Sequence, residues 1–152
     1  MGFGNLFSAT GISSSGLSAE RMRMEVAANN IANAHSTRSS DGGTFRRQQV
    51  VFSTAMEQLA SGASAGNVHR SPVLGGVNVV GVVPDDSPLP KILNPGHPDA
   101  DADGYVEMPN VSLPTEMIDL MTANRAYEAN LKSLQVFRQM AEQSLGLMRA
   151  NV

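Results

Sequence analysis

The sequence predicts a mainly α chain with a small β-domain: N- and C-terminal helices paired as a coiled-coil-like stalk, with a short β-rich insertion between them. Three observations predict it. Helical periodicity is concentrated at the two ends, over residues 12–34 and 114–150. The residues between are rich in Gly, Pro, Ser, Asp and Val. The two ends carry similar apolar spacing, so they can pair with each other around an unlike middle. The domain reading is a disordered stretch 1–11, a terminal helical domain 12–38 plus 112–152, and a β-rich domain 39–111.

Residues 1–10 are small, polar and punctuated by Gly, which argues for disorder in the free chain. From Ile12 onward two stripes emerge. Ile12, Ala19, Met22 and Val26 form one, and Leu17, Met24, Ala28 and Ile31 form another on nearly the opposite side of a helical wheel. A helix that covers only its own core needs a single stripe. Two stripes separated by Glu20, Arg21 and Glu25 fit a helix with neighbours on both sides, either other subunits or the interior of an ordinary bundle.

The string ANNIANA at 28–34 is unusual, because Asn amides compete for backbone partners and disfavour helix. Asn33 suits a left-handed helix cap. Alternatively Asn29, Asn30 or both meet amides and backbone across a packed interface and fix its register, as a buried Asn does in coiled coils. Asn124 and Asn130 in the second helix invite the same reading.

That second helix opens near Ser112, a suitable N-cap, with Pro114 in the first turn and Glu116 near the positive end of the helix dipole. Met117, Leu120, Tyr127, Leu131, Leu134, Ala141, Leu145 and Met148 recur at steps of three, four or seven, interrupted by Asn124 and Arg138. At 1.5 Å per residue the first helix spans roughly 35 Å and the second roughly 55 Å. The longer one overhangs, and an overhanging amphipathic helix needs another subunit.

Between the helices, residues 44–53 (TFRRQQVVFS) read as a strand and 61–66 (SGASAG) as a flexible loop. Residues 76–83 (GVNVVGVV) read as a second strand, ended by Pro84. Beyond it, Pro and Asp density predicts turns, short strands and extended chain, with one strand at 105–108.

Composition narrows the function. Aromatics are 5% and Trp is absent, so the core is expected to draw on Leu, Val, Ile, Ala and nine Met residues. Such a core is thin for 152 residues, and part of the apolar surface is expected to meet other chains. A net charge of −3, with Arg46–Arg47 standing alone, points away from nucleic acid. No Cys is present, which excludes disulfides, zinc–thiolate sites and cysteine nucleophiles. No apolar run approaches the roughly 20 residues of a membrane span, so no direct membrane insertion is expected. The N-terminus lacks the charge and apolar stretch of a cleaved signal peptide.

DADADG at 99–104 matches the first half of a calcium loop, with Val106 at the apolar position. Asn110 stands where the bidentate Glu belongs, and the preceding PGHP is turn chemistry. An Asp-rich turn leading into a strand is the reading adopted, with no metal and no cofactor. His35, His69 and His97 fall in three separate predicted loops. With no nucleophile elbow, phosphate loop or acid/base pair, no catalytic constellation emerges, and the chain reads as a non-enzyme.

Residues 13–37 (SSSGLSAERMRMEVAANNIANAHST) and 124–130 (NRAYEAN) resemble the terminal segments shared by bacterial flagellar axial proteins, the rod, hook and hook-associated subunits. Residues 41–52 (DGGTFRRQQVVF), the Asp-Ser-Pro stretch around Pro88 and above all 94–110 (NPGHPDADADGYVEMPN) resemble the basal-body rod proteins of the proximal rod. The resemblance implies a structural subunit, exported through the flagellar type III export apparatus without a cleaved signal. Such subunits self-assemble through their terminal helices into a torque-transmitting shaft across the periplasm. Expected partners are copies of itself, other proximal-rod proteins and the MS-ring or export-gate adaptor. The expected assembly interface comprises Ile12, Leu17, Ala19, Met24, Val26, Ala28, Asn29, Asn30, Ile31, Asn33, Met117, Leu120, Asn124, Tyr127, Asn130, Leu131 and Leu134. Two rival readings are a stand-alone helical adaptor and a calcium-binding module at the DADADG turn.

Overall fold

The computed structural model describes residues 3–39, 42–57 and 73–150. Helix α1 spans Phe3–Ala32 and helix α2 spans Leu113–Ala150. Among the described residues, four strands lie between them in sequence: β1 Gln48–Glu57, β2 Val73–Pro84, β3 Lys91–Leu93 and β4 Tyr105–Glu107. β1 pairs with β2 in one two-stranded sheet, and β3 pairs antiparallel with β4 in another, with Ile92 opposite Val106.

The α2 boundaries fall within a residue of expectation. Ser112 accepts the first helical bond from Glu116 N through its carbonyl, at 3.0 Å, and its hydroxyl accepts from Thr115. Helix α1 starts well ahead of the expected Ile12 and is helical from Phe3, through residues expected to be disordered. The overlooked signal is Phe3, Leu6 and Phe7 at i, i+3, i+4 spacing. The serines that follow are tolerated because their hydroxyls turn back onto the helix: Ser15 donates to Ile12 O and Ser18 to Ser14 O.

No non-glycine residue among those described has positive φ, so Asn33 is not the left-handed cap considered above. Its amide donates to Asn29 O at 2.9 Å and its side-chain oxygen accepts from the Ser36 hydroxyl. This side chain closes the helix end that a left-handed backbone was expected to close.

β1 begins at Gln48, later than expected, because residues 44–47 bond elsewhere. Phe45 N donates to Ser36 O, and the Thr44 hydroxyl donates to Glu107 O. β3 is one of the short strands expected after Pro84, three residues long between Pro90 and Asn94. The predicted loop at 61–66 and His69 lie outside the described residues.

Contacts group the described residues into two units. One gathers those of Met1–Glu20, Phe52–Val80 and Ala126–Val152, the other those of Arg21–Val51 and Gly81–Arg125. In the first unit, Ser15 Oγ accepts Val77 N at 3.1 Å while donating to Ile12 O at 2.8 Å. Gly76, at φ 106°, brings β2 onto this hydroxyl. A Cβ at position 76 would collide with Ser15 Oγ in a backbone region that disfavours side chains. Gly76→Ala is therefore expected to cost about 1–3 kcal/mol, read as a lower urea midpoint. An unchanged midpoint contradicts this account of the strand anchor.

The fully buried apolar set departs from the composition-based expectation. It consists of Ala19, Val26, Ala27, Ala34, Val106 and Ala123, with no Leu, Ile or Met among the described residues. Other large apolar side chains are half-buried, and Met117, Ile118, Met121 and Val136 are exposed.

Candidate assembly surfaces

In the second unit, Arg23, Val26, Ala27 and Asn30 share one face of α1 by the 3.6-residue period, and Val26, Ala27 and Asn30 are buried. At its centre is Asn30, 1% exposed. Its Oδ1 accepts Gln48 N at 2.8 Å, and its Nδ2 donates to Gln48 O at 2.8 Å and to Glu116 Oε2 at 2.9 Å. Both amide hydrogens are used, as burial demands.

Glu116, also 1% exposed, accepts Arg47 Nε on Oε1 at 2.6 Å. Arg47 further reaches Asp119 Oδ2 at 3.4 Å and Asp85 Oδ2 at 3.9 Å, so three carboxylates surround one guanidinium. Arg23 Nη2 donates to Asp119 Oδ1 at 3.0 Å. The Arg47 backbone is held as well: its N–H donates to Asn110 Oδ1 at 2.8 Å and its carbonyl accepts Asp85 N at 2.7 Å. This polar hub ties α1, the start of β1, the segment after β2, and the first turns of α2. Within the first unit, Gly16 and Asn130 bring the helices together: a Cβ at Gly16 would lie 3.0 Å from Asn130 Nδ2.

The DADADG turn is organised by its own hydrogen bonds. Asp101 Oδ1 accepts the backbone N–H groups of Asp103 and Tyr105, at 3.0 and 2.8 Å. Asp99 accepts the Thr37 hydroxyl at 2.8 Å and pairs with Arg38 at 2.6 Å, clasping the turn to the segment after α1. The Asp99 and Asp101 carboxylates are directed to different partners. Among the described residues, no group of three His, Cys, Asp or Glu side chains is placed to hold a metal ion.

The Thr37 hydroxyl bond, followed by the charges of Arg38 and His97, holds the Asp99 carboxyl below its ordinary value of 3.8. The Ser87 hydroxyl and backbone N–H, then Gln49 and Arg47, do the same for Asp85. A carboxyl depressed in the folded state binds protons more readily when unfolded. Its stabilisation is present above 3.8 and is lost as pH falls through the lowered folded value. Asp99→Asn is therefore expected to flatten the acid limb of a stability–pH curve relative to wild type. Equal acid slopes in the two proteins contradict this role.

The expected interface residues divide. Ala19, Val26 and Asn30 are buried inside the subunit. The Asn30 amide is engaged within its own chain, through Gln48 and Glu116. Leu17, Met24, Ile31, Asn33, Leu120, Tyr127, Asn130 and Leu134 are half-buried. Ile12, Ala28, Asn29, Met117, Asn124 and Leu131 are exposed. Residues missed by the sequence reading join the exposed apolar set, notably Ile118, Met121, Val136 and Met140 on α2 and Val80 on β2. The hub residues Arg47 and Asp119 escape the sequence reading too, since Arg46–Arg47 reads locally only as a basic pair.

No described helix is long and apolar enough to cross a membrane. Comparison with known proteins gives a consistent result. A family model described as flagella basal body rod protein matches residues 12–38, and one described as flagellar basal body rod FlgEFG protein C-terminal matches 102–147. A flagellar basal-body rod protein FlgC of Borreliella burgdorferi is 38% identical over 149 residues, covering 95% of this chain and 98% of that protein. The protein of the same name in Salmonella typhimurium is 38% identical over 143 residues, 94% of this chain and 96% of the relative. That of Bacillus subtilis is 33% identical over 143 residues, covering 91% and 95%.

Proposed function

Because this chain belongs to the FlgC family of flagellar basal-body rod proteins, and is thus a structural rod subunit and not an enzyme, we propose that it works by helix packing completed between subunits. Each copy pairs its α1 and α2 in coiled-coil fashion through the Ala19–Val26–Ala27 face. Each presents Leu17, Met24, Ala28 and Ile31 of α1, with Met117, Asn124 and Leu131 of α2, to its neighbours. Copies assemble helically into a shaft that crosses the periplasm and transmits torque. Other proximal-rod proteins and the MS-ring or export-gate adaptor are the further partners. The chain reaches them through the flagellar type III apparatus without a cleaved signal.

One observation carries this reading. Small residues fill the buried core while Met117, at 56% exposure, and Met121, at 54%, stand in water on a helix. Covering four such apolar side chains contributes about 5–8 kcal/mol gross, and ordering the terminal segments and docking offset much of it. Isolated subunits accordingly stay monomeric with frayed terminal helices and assemble on a template. Neither the adaptor reading nor the calcium reading gains support.

The test is to isolate basal bodies from cells expressing an epitope-tagged copy and to locate it by cryo-electron microscopy. Density for repeated copies in the rod, with both terminal helices in the inner wall, is the expected result. A tagged chain absent from purified basal bodies contradicts the reading.

A further inference from the structure

A cleft of ≈ 760 Å³ opens at the C-terminal end of α1, lined by Asn29, Asn33, Arg38, Phe45, Arg46 and Gln48 among others. Its described lining carries two cations and no carboxylate. Arg38 is neutralised by Asp99 of its own chain. Arg46 is not: its Nη1 makes only long bonds, 3.4 and 3.3 Å, to the carbonyls of Asp85 and Ser87. No carboxylate among the described residues pairs with it. An exposed guanidinium with unused N–H donors, beside the exposed Asn29 amide, is a receptor for an anionic acceptor.

A matching group exists on the same polypeptide. Asp103 sits exposed at the tip of the turn before β4, and its carboxylate meets no cation among the described residues. The neighbouring acids differ: Asp99 is held by Thr37 and Arg38, and Asp101 is held by backbone N–H groups. The turn is fixed in shape by Asp101 N donating to Tyr105 O at 2.8 Å and by Gly104 at φ 82°. Asp103 is therefore projected on a preorganised support, which lowers the ordering cost of any contact it makes.

We propose that a second copy of this chain seats its Asp103 turn in the Arg46 cleft. The proposal rests on the rod-subunit reading and supplies it with a specific subunit contact. Donor and acceptor surfaces differ, so the contact is head-to-tail and propagates into a ring or helix instead of closing as a two-fold dimer.

The natural chain has no Cys, so engineered pairs report cleanly. Arg46→Cys and Asp103→Cys chains are expressed together in flagellated cells, and isolated basal bodies are treated with a bismaleimide, because the span of an Arg–Asp pair exceeds what a disulfide can bridge. The expected result is a crosslinked dimer that needs both variants and is absent when either is expressed alone. Separately, Arg46→Asp or Asp103→Arg is expected to lower incorporation about tenfold, with the double charge swap restoring most of it. Both cysteine chains present in basal bodies without the mixed dimer, or with Arg46→Cys linked to another rod protein, overturns this contact alone. Failure of the unmodified chain to enter basal bodies overturns the rod reading together with it.

Discussion

Arg47→Met is expected to lower folding stability by about 3 kcal/mol, the low end for breaking a buried ion pair. Glu116 is 1% exposed, and its Oε1 receives Arg47 Nε at 2.6 Å. Removing the guanidinium leaves that carboxylate buried with a single remaining donor, Asn30. Asp119 and Asp85 lose the same cation, although Arg23 still reaches Asp119. Arg47 keeps 20% of its side-chain surface in water, so solvent screens part of the loss. Adding Glu116→Leu to Arg47→Met is expected to recover much of the stability, because the stranded charge is the main penalty. Urea denaturation of the single and double variants measures both effects. A single variant within about 0.5 kcal/mol of wild type, the range of ordinary surface substitutions, contradicts the hub.

Leu131→Asp is expected to act in the opposite manner, leaving the subunit folded and blocking assembly. Leu131 is 41% exposed on α2. In the isolated chain the new carboxylate remains hydrated, so the thermal midpoint should barely move. Once a neighbour covers this face, the carboxylate loses its water without gaining a partner. A penalty of a few kcal/mol reduces incorporation about a hundredfold. Circular dichroism measures the first effect, and the amount of variant in purified basal bodies measures the second. Wild-type incorporation removes Leu131 from the interface.

The two predictions separate what could be read in the sequence from what could not. The long helix α2 was legible because its apolar steps, Ser112, Pro114 and the first-turn Glu116 agree with one another. β2 was legible from its valines and the closing Pro84. The Asp-rich turn into β4 followed from Gly and Asp chemistry alone. The Arg47–Glu116 pair was not legible, because 69 residues separate partners that each had a sufficient local reading. Glu116 was accounted for by the helix dipole and Arg47 by a basic dipeptide. Asn30 gave a partial signal: its poor helix propensity marked it as unusual, but only three-dimensional structure shows that its partners are Gln48 and Glu116. The preference for Ala and Val over Leu and Met in the core was hidden for a similar reason. Periodicity identifies an apolar face without saying which chain covers it.

Hydrogen exchange, compared between the dilute chain and the chain within isolated basal bodies, tests most directly whether the terminal helices depend on neighbours. Amides of residues 3–20 and 131–150 are expected to exchange quickly in dilute solution and slowly in the rod, with those around Asn30 and Glu116 protected in both. Equally strong protection of the terminal segments in the dilute monomer would mean that each subunit is already complete, contrary to this account.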